Sequence, residues 1–203
     1  MRLVVEAWFY NSIPQTILEL LNSALTLSGF TGTDMLTTHI RSWDSVTLEQ
    51  HKVFVALNAG TEDHIVVRVQ ARIGWSEGYS AFEKVFLHLL KHRQSIHLAE
   101  LFFSVRNSQP YPFLTHSFYR GFFPPTIVNP DENRVSERGG STYWVQWGPE
   151  LHFIADKVFE RTAVDAGSLA HDLNAAIIDV EGGVLLDCGW AQEFVLPQRI
   201  NSI

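Results

Sequence analysis

The sequence predicts a single α+β domain: a mostly antiparallel sheet with two or three helices packed on one side. Three observations carry that expectation. Residues 52–72 and 175–188 each hold two β-rich runs around turn-forming residues, the pattern of a hairpin. Residues 13–28 and 81–92 each place apolar side chains at i, i+3, i+4, i+7 and i+8, which is one face of a helix. A chain of 203 residues with 46% apolar content is long enough to bury one sizeable core. No repeat, low-complexity run or linker divides it, so residues 1–203 read as one domain.

The elements follow in order. "RLVVEAWFY" (2–10) is rich in β-branched and aromatic residues and predicts a strand. Helix is expected from about 13 to 28, with Ser12 as cap, Pro14 in the first turn, a stripe of Ile17, Leu20, Leu21, Ala24 and Leu25, and Gly29 as the stop. Residues 34–43 predict extended chain, and "DSVTLEQ" (44–50) a short helical turn. The hairpin of 52–72 turns at "NAGTED", with a helix over 45–57 as the competing reading. "SAFE" (80–83) has the form of a capping box, which starts a helix at 81 that runs to 92 on Phe82, Val85, Phe86, Leu89 and Leu90. "SIHLAELFFSV" (95–105) is then a strand.

Residues 106–140 form a long irregular region that holds five of the eight prolines and many aromatic residues, with "NPDENRVSERGG" as its exposed tip. "STYWVQW" (141–147) predicts a strand. Leu151, Ile154, Ala155, Val158 and Phe159 repeat at helical spacing, so "PELHFIADKVFERT" predicts a helix. "SLAHDL" (168–173) reads as a helical turn. The second hairpin turns at "EGG", and the tail "EFVLPQRINSI" suits an edge strand before Pro197.

Composition excludes several classes of function. One cysteine cannot form an internal disulfide, which suits a reducing cytoplasm. The N-terminal run is broken by Glu6 and reads as a strand rather than a signal peptide, and every apolar stretch is shorter than a bilayer. The net charge is −7, with residues 141–203 alone carrying −6. An acidic chain repels phosphate backbones, so no direct nucleic-acid ligand is expected. An acidic final third is suited to steering a basic partner.

Four constellations bear on chemistry. Cys188, in "VLLDCGWAQEF", needs a histidine base, and none occurs in the fifteen residues after it. "DCGWAQEF" distantly resembles the Asp-Cys start of bacterial papain-like peptidases, whose histidine lies downstream. Only a permuted relative with an upstream base, His171 beside Asp172, or His152, fits that reading. His88 and His92 are i, i+4, the spacing of two imidazoles on one metal, with His97 just beyond. The glutamate of the zinc-peptidase motif is missing, and Lys91 and Arg93 oppose a cation, so neither metal nor cofactor is expected. Asp179 with Asp187, and Glu62 with Asp63, are carboxylate pairs that turn chemistry explains equally well. No phosphate-binding loop or nucleophile elbow is present. Trp43, Trp75, Trp144, Trp147 and Trp190 are mostly core candidates.

The opening strand "RLVVEAWFY", the helix "SAFEKVFLHLLKH", the irregular aromatic middle and the acidic final third together resemble the immunity proteins of bacterial polymorphic-toxin and type VI secretion systems. The resemblance is global and carries no site residues. It implies a cytoplasmic, non-enzymatic inhibitor, monomeric or homodimeric, that neutralises a cognate toxin by occlusion; the toxin is often a nuclease with a basic active-site face. The acidic residues expected to meet such a partner are Asp131, Glu132, Glu137, Asp156, Glu160, Asp179, Glu181 and Asp187.

Overall fold

The computed structural model describes residues 2–33, 36, 43–61, 64–73, 75–107, 143–161, 165–173 and 175–187. Among them, nine strands form one antiparallel sheet. They are β1 (Arg2–Tyr10), β2 (Phe30–Thr31), β3 (Trp43–Leu48), β4 (His51–Thr61), β5 (His64–Ala71), β6 (Ile96–Asn107), β7 (Tyr143–Ala155), β8 (Ala176–Val180) and β9 (Gly183–Asp187). The spatial order is β2-β3-β4-β5-β1-β6-β7-β9-β8, so the first strand lies at the centre and β8 at one edge. Four helices accompany the sheet: α1 (Pro14–Leu27), α2 (Trp75–Leu89), α3 (Asp156–Arg161) and α4 (Ala166–Leu173). A 3-10 turn, Leu90–Ser95, links α2 to β6.

Strand alternation explains the core. Leu3, Val5, Ala7 and Phe9 of β1 point to one face and join Ile17, Leu21 and Leu25 of α1 and Phe82, Val85, Phe86 and Leu89 of α2. Each fully buried side chain of this size contributes roughly 1.5–3 kcal/mol by leaving water. Glu6 and Trp8 alternate onto the opposite face, which matters for the site described below.

The expected α+β class is what the structure has, and both predicted hairpins form. Strands β4 and β5 pair from Val53–Ala71 outward, and β8 and β9 turn at Glu181–Gly182, where Gly182 has φ +83°. The predicted helix starts need correction. Ile13, not Ser12, is the residue before α1, and it offers no side-chain cap; the Ser12 hydroxyl donates instead to the Tyr10 carbonyl. Helix α2 begins at Trp75, so "SAFE" lies within it and caps nothing.

Two segments change type. Residues 44–48 belong to β3 rather than to a helical turn, and the competing helix over 45–57 is likewise replaced by β3 and β4. The β3–β4 loop is the two residues Glu49 and Gln50, and Glu49 takes φ +53°. That conformation favours glycine, so a Glu-Gln loop hides the hairpin from a reader of turn residues. Residues 151–155 extend β7, and only Asp156–Arg161 turns helical. Leu151 through Ala155 are all buried, so both faces of this strand are covered. A continuous apolar run then mimics helical spacing by chance. The tip at 129–140, most of the irregular region and the tail after Asp187 lie outside the described residues.

Candidate functional site

Two regions of the described structure concentrate polar groups in ways that core packing does not require. One is exposed and acidic. It is built where α3 leaves β7 beside the β8–β9 turn. The Asp156 N–H donates to the Gly182 carbonyl at 3.0 Å, which fixes the start of α3 against that turn. Asp156 and Glu160 are exposed on α3, Asp179 is exposed on β8, and Glu181 is exposed in the turn. The Arg93 guanidinium holds the turn: Nε donates to the Glu181 carbonyl at 2.8 Å and an Nη to its carboxylate at 3.1 Å. One of the four carboxylates is therefore already paired.

Asp165, exposed just before α4, receives the Ser168 N–H at 2.9 Å and the Ser168 hydroxyl at 2.6 Å. These bonds to the charged form hold its carboxyl below the usual carboxylate range. It is an N-cap that sequence reasoning missed; the signal was Asp165 three residues before Ser168. Among the described strands β8 is terminal in the sheet and bonds to β9 on one side. Its Ile177 is 43% exposed, unusual for an aliphatic side chain on a strand.

The other region is buried. Directly opposed residues of neighbouring antiparallel strands share a face. Register therefore sets Arg68 (β5), Glu6 (β1), Glu100 (β6), His152 (β7) and Leu186 (β9) in one row across the sheet. Glu6 is satisfied: Arg68 pairs with it and the Trp8 Nε1–H donates to it at 3.0 Å. His152 is different. It is 0% exposed, and its Nε2 lies 3.3 Å from Glu100 Oε1. That spacing is within ion-pair reach, but burial pushes the His152 pKa down to about 3. The imidazole is then uncharged at neutral pH, so the contact is not a salt bridge. Neither ring nitrogen makes a hydrogen bond.

The remaining sequence candidates separate. Asp187 is 3% exposed at the end of β9, so it does not join the acidic surface. Asp187 pairs in register with Ala176 and Asp179 with Val184, so the two carboxylates are not cross-strand partners as expected. His88 sits on α2, but His92 falls in the 3-10 turn with non-helical φ −108° and ψ 26°, so the two do not stand on one helix face. Among the described residues no three His, Cys, Asp or Glu side chains are grouped to hold a metal. His171 is exposed on α4, and the backbone of Asp172 belongs to the same helix. Cys188, Asp131, Glu132, Glu137, Glu62 and Asp63 lie outside the described residues. No described helix is long and apolar enough to cross a membrane.

Compared with known protein families, with curated proteins and with solved structures, the chain matches none.

Proposed function

We propose that this protein is a non-enzymatic binding domain that engages a basic protein partner through the β8 edge, in the manner of an immunity protein that occludes its toxin. The observation that carries the reading is the combination at β8: a strand edge that no other described strand covers, a half-exposed Ile177, and the exposed carboxylates of Asp156, Glu160 and Asp179 around it. An open edge offers main-chain hydrogen bonds to an added strand. The apolar side chain supplies an anchor, and the surrounding charge selects and steers a cationic surface. The net charge of −6 in residues 141–203 supports the same polarity.

The test is affinity capture with the intact protein and with an Asp156→Lys/Glu160→Lys/Asp179→Lys variant, each captured protein being identified and titrated. The reading expects one basic partner, bound stoichiometrically by the parent and at least about tenfold more weakly by the variant. A partner held equally by both, or no stoichiometric partner, rejects it.

One observation favours a second reading, a thiol hydrolase using Cys188. Asp187, the residue before it, pairs with Leu151, the neighbour of His152, so register brings the end of β9 beside a histidine with unbonded nitrogens. Against it stands the complete burial of that histidine, which gives substrate no approach.

A further inference from the structure

The end of α1 and one side of α2 enclose a groove of about 230 Å³, lined by Leu27, Ser28, Lys84, Leu87, His88 and Lys91. Its two walls differ in chemistry. Lys84 and His88 are i, i+4 on α2, and Lys91, at the start of the 3-10 turn, lines the same groove beyond them. Facing them, Leu27 is 68% exposed, and Leu87 lies partly buried between the two lysines.

The described fold does not consume the lysines. No carboxylate pairs with either among the described residues. Nor does the end of α1 need them to satisfy its carbonyls. The Ser28 N–H donates to the Ala24 and Leu25 carbonyls, the Ser28 hydroxyl donates to the Ala24 carbonyl at 2.7 Å, and the Gly29 N–H donates to that of Thr26. Among the described residues, exposed cations beside an exposed leucine are thus left without a carboxylate, in a chain whose net charge is −7.

We propose that this groove binds an acidic peptide segment in extended conformation, with alternating acidic and apolar side chains. An extended chain points successive side chains to opposite sides. Carboxylates at every second position then face Lys84 and Lys91, and the intervening apolar side chains face Leu27. The four-carbon stems of the lysines absorb the mismatch between strand and helix spacing. His88 is held below its ordinary pKa by burial, with Lys91 and His92 adding to it, so the positive wall at neutral pH comes from the lysines. This surface is opposite in sign to the β8 edge and independent of it.

The test uses the intact protein and a short fluorescein-labelled peptide of alternating Glu and Leu, with its Gln–Leu counterpart as control, followed by anisotropy. The Glu peptide is expected to bind at least about tenfold tighter than the Gln peptide, and to lose that advantage in Lys84→Glu/Lys91→Glu and in raised salt. Leu27→Asp, which leaves both lysines in place, is expected to weaken it as well. All three positions are exposed, so unchanged thermal melts establish that the variants fold. Equal binding of the two peptides, or binding unaffected by the lysine reversal, overturns the proposal. Displacement of the peptide by equimolar inorganic phosphate makes this a small-anion site and overturns it too. Self-association of the parent that the peptide competes away makes the occupant a second copy, which equally overturns it.

Discussion

Replacing His152 by leucine is expected to remove about 2 kcal/mol of the protein's loss of stability between about pH 7.5 and about pH 5. The reasoning starts from burial. Desolvation lowers the folded-state pKa of His152 from 6.5 to about 3. In the unfolded chain the imidazole recovers its ordinary value. Between these two values the unfolded state binds a proton that the folded state does not. Stability from this group is therefore complete above about pH 6.5 and declines as pH falls towards 3. One proton corresponds to about 1.4 kcal/mol per pH unit, so the decline from about pH 7.5 to about pH 5 is about 2 kcal/mol. His88, also held below its ordinary value, declines over the same interval in parent and variant alike, so the difference between the two curves isolates His152. Leucine has no proton to bind and no ring nitrogens to leave unbonded, so His152→Leu keeps the apolar packing and removes the orphaned polar atoms. The assay is urea denaturation across pH, read by tryptophan fluorescence. If parent and variant lose stability in parallel over this interval, the folded-state pKa of His152 is not depressed and the account of the row fails.

Other consequences follow from single positions. Glu49→Gly relieves a left-handed backbone at the β3–β4 loop and is expected to raise stability by about 1 kcal/mol, read as an increased urea midpoint at constant slope. Gly183→Ala sets a Cβ 2.3 Å from the Ile154 carbonyl oxygen and 2.9 Å from Ala155 Cα, backbone atoms that cannot step aside; a loss of about 3 kcal/mol and a lower Tm are expected. Phe86→Ala empties a fully buried site between α2 and the sheet and is expected to cost about 3–5 kcal/mol in the same denaturation. Labelling of Cys188 by a thiol-directed electrophile at neutral pH separates the two readings: a non-catalytic thiol is expected to react no faster in the native protein than in the unfolded chain, whereas faster native labelling supports the hydrolase reading instead.

The fold class was legible because local and global signals agreed over most of the chain. The stripes of α1 and α2, the β-branched opening strand and the glycine-bearing turn of β8–β9 each say locally what the fold does globally. Where they disagreed, tertiary context prevailed. Residues 151–155 are buried on both faces in β7, and burial on both faces erases the alternation that marks a strand. The Glu49–Gln50 loop lacks turn residues because it accepts backbone strain. The acidic surface was legible as charge: Asp156, Glu160, Asp179 and Glu181 come out exposed. Asp187 did not, because its burial depends on strand pairing that the charge pattern does not encode. The row of Arg68, Glu6, Glu100 and His152 could not be read at all. Its members lie up to about 150 positions apart, and only the register of β5, β1, β6 and β7 brings them together.

The claim that the β8 edge is the binding surface is tested most directly by amide hydrogen exchange of the protein alone and in complex with its captured partner. Among the described strands β8 is bonded to β9 alone, so its outward amides are expected to exchange readily in the free protein. The account predicts that partner binding slows exchange across Ala176–Val180 and the start of α3, while the strands at the centre of the sheet change little. Protection confined to other segments, with exchange in β8 unaltered, contradicts it.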